Sequence, residues 1–240
     1  MKKVAIITPI PDMVDIIIQQ SMLRKARTDG IVDFDVVDLR DFGIGNYRQI
    51  DDTPYGGGGG MVLMAEPLFA ALDHIIDKIG TVANLRVIYP SPQGQKWSQD
   101  KAQENSSVEN IIFICGHYKD IDHRVIDKSV THEYSIGDYV VTSGEIPTMI
   151  MIDSIVRLLP GVLNNFDSAK TDSFFTESLL DAPYYTKPQE VGGLSVPEVL
   201  MNGNHKEIVA WRQNERSRRT KVKRPDLMQR RAKKLESSED

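Results

Sequence analysis

Short apolar runs alternate with longer amphipathic segments over the first 160 residues of the chain. The runs at 4–7, 34–39, 85–89 and 111–115 are rich in β-branched residues and have the length of buried strands. Helical patterns cover residues 12–27, 65–79, 99–105 and 146–159, where Pro160-Gly161 ends the last one. This alternation predicts an α/β domain with a largely parallel sheet.

The pattern changes after residue 163. Residues 164–178 are polar and without a clear period, which predicts a flexible linker. Residues 195–235 are helical in pattern again, with Pro197 in the first turn of one helix and Pro225 opening another. We therefore expect an α/β domain over residues 1–163, a linker over 164–178 and a small, basic, all-α domain over 179–240.

Charge is distributed unevenly along the chain. The whole sequence has 29 Lys and Arg against 34 Asp and Glu, a net charge of -5, which by itself argues against binding a polyanion. Residues 205–235, however, hold twelve Lys and Arg against three acids, whereas residues 1–204 carry a charge of -11. Because Trp211 lies within the basic segment, we interpret the segment as a phosphate-contacting surface, with a solvated helix face as the alternative.

Amino-acid composition argues against a transmembrane protein and against a disulfide-bonded one. With 40% hydrophobic and 26% charged residues, and no apolar run of about 18 residues, the chain is expected to be globular with no transmembrane helix. The single cysteine, Cys115, lies in an apolar run, which predicts a buried, reduced thiol rather than a disulfide or a zinc ligand. The opening Met1-Lys2-Lys3 does not resemble a signal peptide, so we expect a cytoplasmic protein.

Three loops lie where α/β proteins bind ligands, just past the carboxyl ends of strands or before a helix. They are residues 89–94, 116–118 and 135–145, and the third could enclose a small ligand with main-chain hydrogen bonds. Together they predict one shared pocket. The glycine run 56–60 lacks the Gly-Lys-Ser/Thr of a phosphate-binding loop, so it is either a flexible loop or a place where the backbone approaches a ligand.

The sequence gives little support to a zinc site or to a nucleophilic serine. His117, His123 and His132 lie within sixteen residues, but their spacing matches no zinc motif. Serine nucleophile chemistry is unsupported because no Gly-x-Ser-x-Gly elbow is present. Asp172 and Arg157 remain as candidates, with a solvated carboxylate and a helix-end cation as the plain alternatives.

Many ordered motifs then resemble one family, the bacterial TrmD-type tRNA (guanine-N1)-methyltransferases, from about Pro11 to Leu227. The matching segments are 55–61, 91–94, 121–125, 135–140, 144–145, 160–163, 172–174, 185–188 and 203–205. The resemblance implies the SPOUT class of methyltransferases, in which a deep trefoil knot near the end of the α/β domain holds S-adenosylmethionine. Residue by residue, the cofactor-binding positions would be Tyr89, Pro90, Ser91, Pro92, Gln93, Gly94, Gly116, Ile136, Gly137, Asp138, Tyr139, Val140, Val141, Gly144 and Pro147.

The resemblance also implies a reaction and its partners. It is methylation of N1 of the guanosine directly 3′ of the tRNA anticodon, which maintains the reading frame. Asp172 and Arg157 match the catalytic pair, and in the family's homodimer the aspartate of one subunit completes the site of the other. The expected tRNA-binding positions are Gly58, Gly59, Arg212, Arg218 and Arg219. We expect neither a membrane nor DNA as a partner.

The sequence departs from the family pattern at several positions. His117 replaces an arginine, Ser143 replaces a glycine, Gly59 stands where proline is common, and Thr8-Pro9-Ile10 replaces the usual opening. Lys119 replaces a carboxylate linked to Mg²⁺, so Mg²⁺ is a second candidate cofactor with Asp120 or Asp122 as substitute ligands. Two alternatives stay open: a SPOUT methyltransferase with another RNA target, and a catalytically silent RNA-binding protein.

Overall fold

The computed structural model describes residues 1–80, 83–164, 166–175 and 179–236. The chain divides into two compact units, Met1–Asn164 and Asn165–Asp240. We call them the N-terminal and the C-terminal unit and describe each by itself.

A five-stranded parallel sheet forms the centre of the N-terminal unit, in the order β2-β1-β6-β5-β7. Its strands are β1 (Lys2–Thr8), β2 (Val32–Asp38), β5 (Leu85–Lys96), β6 (Asn110–Ile114) and β7 (His132–Ser135). A separate antiparallel ribbon consists of β3 (Asp51–Asp52) and β4 (Val62–Leu63). The helices are α1 (Pro11–Ile18), α2 (Ser21–Thr28), α3 (Ala65–Ile79), α4 (Gln99–Ser106), α5 (His123–Ser129) and α6 (Glu145–Val156). The predicted α/β fold with a parallel sheet is confirmed.

Helices cover both faces of this sheet. Val4 and Ile6 of β1 belong to a buried cluster with residues of α1, α2 and α6, whereas Ala5 and Ile7 belong to a second cluster with residues of α3 and α5. A strand that is buried on both faces is apolar at consecutive positions rather than at alternate ones. This explains why β1 and β6 are uninterrupted apolar runs in the sequence.

Two predictions for the N-terminal unit are corrected. The single helix predicted at 12–27 is wrong, because the chain breaks into α1 and α2 and Ser21 has a left-handed φ of +46°. The apolar period continues across this break, so the pattern alone did not reveal it. The strand predicted at 85–89 continues to Lys96, because β5 bulges between Pro90 and Gln95 and then pairs with β7 again.

Within the described residues, the C-terminal unit contains three α-helices and a short two-stranded ribbon. They are α7 (Phe166–Thr171), α8 (His205–Lys223), α9 (Pro225–Glu236), β8 (Glu190–Val191) and β9 (Leu194–Ser195). The all-α expectation is therefore not confirmed. Helix α7 lies in the segment predicted to be a linker without regular structure, and the rest of that segment at 165 and 176–178 lies outside the described residues.

The helical region predicted from residue 195 begins later in the structure. Pro197 precedes only a short 3₁₀ turn, and α8 starts at His205, where the Asn204 side chain accepts a hydrogen bond from the Glu207 amide. Pro225 does open α9, as predicted. None of the helices in the described part of the chain is long and apolar enough to cross a bilayer.

Candidate functional site

Three loops of the N-terminal unit surround one cleft at the carboxyl edge of the sheet. They are the bulge of β5, the segment after β6 and the segment between β7 and α6. The lining residues are Tyr89, Pro90, Ser91, Pro92, Gly116, His117, Tyr118, Lys119, Asp120, Tyr134, Ser135, Ile136, Gly137, Tyr139, Val140, Val141, Thr142, Ser143, Gly144 and Pro147. The structure therefore brings together twelve of the fifteen positions expected to bind the cofactor.

Gln93, Gly94 and Asp138 are the three expected positions that do not line this cleft. Gln93 and Gly94 border a separate pocket beside β7. A Cβ atom on Gly94 would lie 2.4 Å from the carbonyl carbon of Glu133, so this glycine allows β5 to approach β7 closely. Its position points to a structural requirement within the sheet.

Two glycines hold the loops against one another. The Gly144 amide donates a hydrogen bond of 2.8 Å to the Gly116 carbonyl, and a Cβ on Gly144 would lie 2.5 Å from the Gly116 nitrogen. A Cβ on Gly116 would in turn lie 2.6 Å from the Tyr89 hydroxyl. Only residues without a side chain permit the backbone of Gly144 to pack on that of Gly116 and the Tyr89 ring to pack on Gly116.

The loop before α6 is braced by its own hydrogen bonds. The Ser135 hydroxyl accepts from the Gly137 amide at 3.2 Å and donates to the Gly137 carbonyl at 3.1 Å. The Tyr139 amide donates to the same carbonyl at 2.9 Å. Tyr139 and Val140 are exposed beyond this turn, which gives the mouth of the cleft apolar walls suited to a partly apolar ligand.

Tyr89 and Asp120 link two of the loops. The Tyr89 hydroxyl donates a 2.6 Å hydrogen bond to Asp120 Oδ1, which also accepts from the Ile121 amide at 2.8 Å. Burial, together with this hydrogen bond, raises the pKa of Tyr89 far above its usual value, so the phenol stays neutral. The family resemblance implied Tyr89 as a cofactor position, but the sequence offered no signal for its hydrogen-bond partner Asp120.

Glu145 is the first residue of α6 and its side chain is fully buried. Thr8 Oγ1 donates to Glu145 Oε1 at 2.5 Å, and His117 Nε2 lies 2.9 and 2.8 Å from the two carboxylate oxygens. Burial acts to raise the pKa of Glu145, but the hydrogen bonds from His117 and Thr8 outweigh it and hold the pKa below its usual value. Sequence reasoning missed Glu145, which stood out only as half of a Gly-Glu motif.

The two expected catalytic residues lie in different units. Arg157 caps the end of α6 in the N-terminal unit, where its amide donates to the Asp153 carbonyl at 3.1 Å. Asp172 directly follows α7 in the C-terminal unit, and its amide donates to the Ala169 carbonyl at 3.1 Å. Both side chains are half-buried within their surroundings.

Gly58 and Gly59 lie in the exposed loop between β3 and β4. Gly58 has a left-handed φ of +112°, and no atom lies within 4 Å of a Cβ built at either position. At Gly60 the loop meets the cleft, because a Cβ there would lie 3.0 Å from Lys119 Cγ. The glycine run therefore leaves room for a ligand at Gly58 and Gly59, whereas Gly60 packs against the Lys119 side chain.

The expected tRNA-binding arginines lie on α8. Arg212 is exposed, Arg219 is half-buried, and Arg218 forms two hydrogen bonds of 2.9 and 2.7 Å with the Glu215 carboxylate. The rings of Tyr185 and Trp211 lie 6.5 Å apart, so aromatic surface accompanies the basic helix. Exposed arginines beside aromatic rings are typical of surfaces that bind nucleic acid.

The described residues give no support for a Mg²⁺ site formed by protein side chains alone. They contain no group of three or more acidic, histidine or cysteine side chains arranged to hold a metal ion. Asp122 caps α5 and forms an ion pair of 2.6 Å with Arg124, while Asp120 is bound by Tyr89. The position expected to supply a carboxylate ligand is Lys119, whose ammonium group cannot coordinate a cation.

Comparison with known proteins adds independent information. Residues 1–230 match the profile of the family described as tRNA (Guanine-1)-methyltransferase TrmD. A tRNA (guanine-N(1)-)-methyltransferase of Staphylococcus carnosus is 47% identical over 226 residues, which cover 94% of this chain and 90% of the relative. Proteins of the same name from Anoxybacillus flavithermus and Bacillus cereus are 45% and 46% identical, over 95% of this chain and 91% and 93% of the relatives. The chain therefore belongs to the TrmD family of tRNA (guanine-N1)-methyltransferases.

Proposed function

We propose that this protein transfers a methyl group from S-adenosylmethionine to N1 of the guanosine directly 3′ of the tRNA anticodon. The observation that carries the proposal is the cleft, in which three separate loops of a TrmD-family chain meet at the carboxyl edge of a parallel sheet. Since its substrate is tRNA, we place its activity in the cytoplasm.

The cleft fits the methyl donor. Main-chain groups of the Ser135–Tyr139 turn, the glycine contact between Gly116 and Gly144, and the apolar wall at Val140 provide the mixture of surfaces that an adenosine derivative requires. When bound, S-adenosylmethionine supplies a methyl group on a positively charged sulfur. No covalent enzyme intermediate is then required.

We further propose that the chain is knotted near the end of the N-terminal unit. Knots are almost absent from protein folds, so local patterns give no sign of one. Two contacts support it here: Gly144 packs on the backbone of Gly116, and the Trp97 amide donates to the Ser135 carbonyl at 2.7 Å. The 135–144 segment is therefore tied to chain that follows both β5 and β6.

Asp172 and Arg157 carry the chemistry in this proposal. Guanine N1 bears a proton and is a poor nucleophile until that proton is removed. A carboxylate that accepts the proton contributes about 10²- to 10⁴-fold in rate as a general base. Asp172 takes this role, and the guanidinium of Arg157 stabilises the negative charge that develops on O6.

We propose a homodimer in which α6 faces the second copy. Glu145–Val156 is apolar on nearly all sides, yet Ile146 and Ile150 remain 40% and 45% exposed. The sequence positions 146, 150, 153 and 157 are three or four residues apart, so the two isoleucines lie on the same helix face as Asp153 and Arg157. A partner on this face would cover the isoleucines and bring its own residues close to Arg157.

The C-terminal unit is the proposed tRNA-binding region. The exposed Arg212, together with Arg218, would contact phosphates of the anticodon stem, and the rings of Tyr185 and Trp211 offer surface for an unstacked base. The tip of the glycine run at Gly58 and Gly59 is open enough for close approach of the target nucleotide. The base must leave its stack to reach a methyl donor held in the cleft.

The test is methyl transfer to tRNA transcripts under single-turnover conditions. We expect transfer to the guanosine 3′ of the anticodon and none when that guanosine is replaced. Asp172→Ala should slow the chemical step by roughly 100-fold or more, while Asp172→Asn, which keeps the size of the side chain, should be equally slow. Near-normal rates for Asp172→Ala would refute the assignment of the base, and methylation at another nucleotide would indicate a different RNA target.

A further inference from the structure

The buried carboxylate of Glu145 requires a counter-charge. Its side chain has no exposed surface, and its pKa lies below the usual value, so it is ionised at neutral pH. An ionised carboxylate away from water is costly unless it is paired and hydrogen-bonded. Thr8 and the Ser143 hydroxyl supply hydrogen bonds to the carboxylate, but neither carries a charge.

His117 is the group that can supply this charge. Its Nε2 lies 2.8 Å from Glu145 Oε2, and no Lys or Arg in the described ranges forms an ion pair with that carboxylate. Because an ionised carboxylate can only accept, His117 Nε2 must bear a proton toward it. This contact fixes the ring plane and leaves the opposite nitrogen, Nδ1, for another partner.

The free nitrogen belongs to a residue that lines the cleft. His117 exposes 13% of its side chain there, and no residue within the described ranges forms a hydrogen bond with Nδ1. Asp120, whose carboxylate does line the cleft, is already bound by the Tyr89 hydroxyl. A ligand in the cleft can therefore form a hydrogen bond with His117 Nδ1, while Nε2 of the same ring is held by the Glu145 carboxylate.

Resting on the proposed function, we propose that His117 donates a hydrogen bond from Nδ1 to the carboxylate of the amino-acid part of the methyl donor. Glu145 acts as the positioning residue that holds the ring. Of the charged groups on the donor, the sulfonium and the ammonium would be repelled by an imidazolium, whereas the carboxylate is attracted to it. An imidazolium between two carboxylates satisfies both of them, and hydrogen bonds of this charged kind are the strong ones.

Comparing the binding of two nucleosides distinguishes a role of His117 in binding the carboxylate from a purely structural role. S-adenosylhomocysteine keeps the amino-acid carboxylate, whereas 5′-methylthioadenosine lacks the whole amino-acid end but keeps the adenosine. Calorimetry would compare the wild type with His117→Gln, which can hydrogen-bond but carries no charge, and with His117→Arg, which keeps a cation for Glu145. Glu145→Gln tests the positioning residue, and thermal unfolding of each variant verifies that it is folded.

We expect His117→Gln to weaken binding of S-adenosylhomocysteine by roughly 10-fold or more and to leave binding of 5′-methylthioadenosine within about twofold. His117→Arg should restore most of the lost affinity, and Glu145→Gln should show the same selective loss. Equal weakening of both nucleosides, or no weakening of either, would overturn the inference. If the folded wild type bound neither nucleoside, the proposed cofactor site itself would be refuted.

Discussion

Three positions that looked unrelated in the sequence meet at one buried carboxylate. Thr8 and His117 form hydrogen bonds with Glu145, and Ser143 contributes to holding the pKa of that carboxyl below its usual value. Thr8 and Glu145 are 137 residues apart, so no local pattern could indicate their contact. In the sequence these three residues lie in separate segments, and only the fold shows that they belong to one network.

Lys2 is a second buried charge and gives a test that does not depend on the cleft. Its ammonium group donates to the carbonyl oxygens of Asn105, at 2.8 Å, and of Val108. Burial and the nearby charge of Arg86 lower the pKa of Lys2 from 10.5 to about 8. The unfolded chain therefore holds a proton between these two pH values that the folded protein releases.

From this shift we predict that stability changes with pH in an alkaline window. The free energy of unfolding of the wild type, relative to Lys2→Met, should rise as the pH increases from about 8 to 10.5, by up to about 1.4 kcal/mol per pH unit. Below pH 8 the full cost of burying the charge is present, so the difference between the proteins should be constant there. Denaturant titrations at several pH values measure it, and a difference that does not vary with pH would contradict the prediction.

At the scale of elements, the sequence predicted the strands and helices that have a clear apolar pattern. It missed the features that depend on tertiary contacts or on backbone conformation. β1 and β6 are uninterrupted apolar runs, α3 has a strong helical period, and all three lie close to where the pattern indicated. β7 and α5 are short and mixed in polarity, so neither has a period long enough to recognise. The break between α1 and α2 and the bulge in β5 arise from backbone conformation, which the apolar pattern does not record.

Helix α6 gives the prediction that belongs to this scale. If its exposed face meets a second copy, Ile150→Asp should convert a dimer into a monomer, because a charge would have to be buried in the interface. The Ile150→Asp monomer should also lose methyl transfer to tRNA, since the site would lack the partner's contribution. Analytical ultracentrifugation of the wild type and the variant measures the change in mass.

Ile16 on α1 provides the matched control for that experiment. It is 66% exposed, more than Ile150, and it lies on a different helix of the same unit. Ile16→Asp should leave the dimer intact, so a loss of dimer in both variants would point to general destabilisation. A wild type that is monomeric at micromolar concentration would refute the proposed interface outright.

At the scale of the whole molecule, net charge proved a poor guide to partners. The sum of -5 conceals an acidic body and a basic segment, and α8 and α9 are the helices that carry the basic residues. The location of the cleft could also be anticipated, since loops after parallel strands gather at one edge of a sheet. What the sequence could not indicate is which of those loop residues face the ligand and which brace the strands, as Gly94 does.

The division of charge predicts a strong salt dependence for tRNA binding. Each phosphate neutralised by a Lys or Arg releases counterions, so affinity should fall at least about tenfold between roughly 50 and 200 mM salt.

Arg212→Gln removes one exposed cation from α8 and should reduce the slope of log Kd against log salt by about one. Arg27, another exposed arginine, lies on α2, and Arg27→Gln is the control that should leave the slope unchanged. Arg218→Gln should have a smaller effect than Arg212→Gln, because Glu215 already neutralises that guanidinium. Affinity that is flat with salt would mean that the basic helices do not contact phosphates, whatever their sequence suggests.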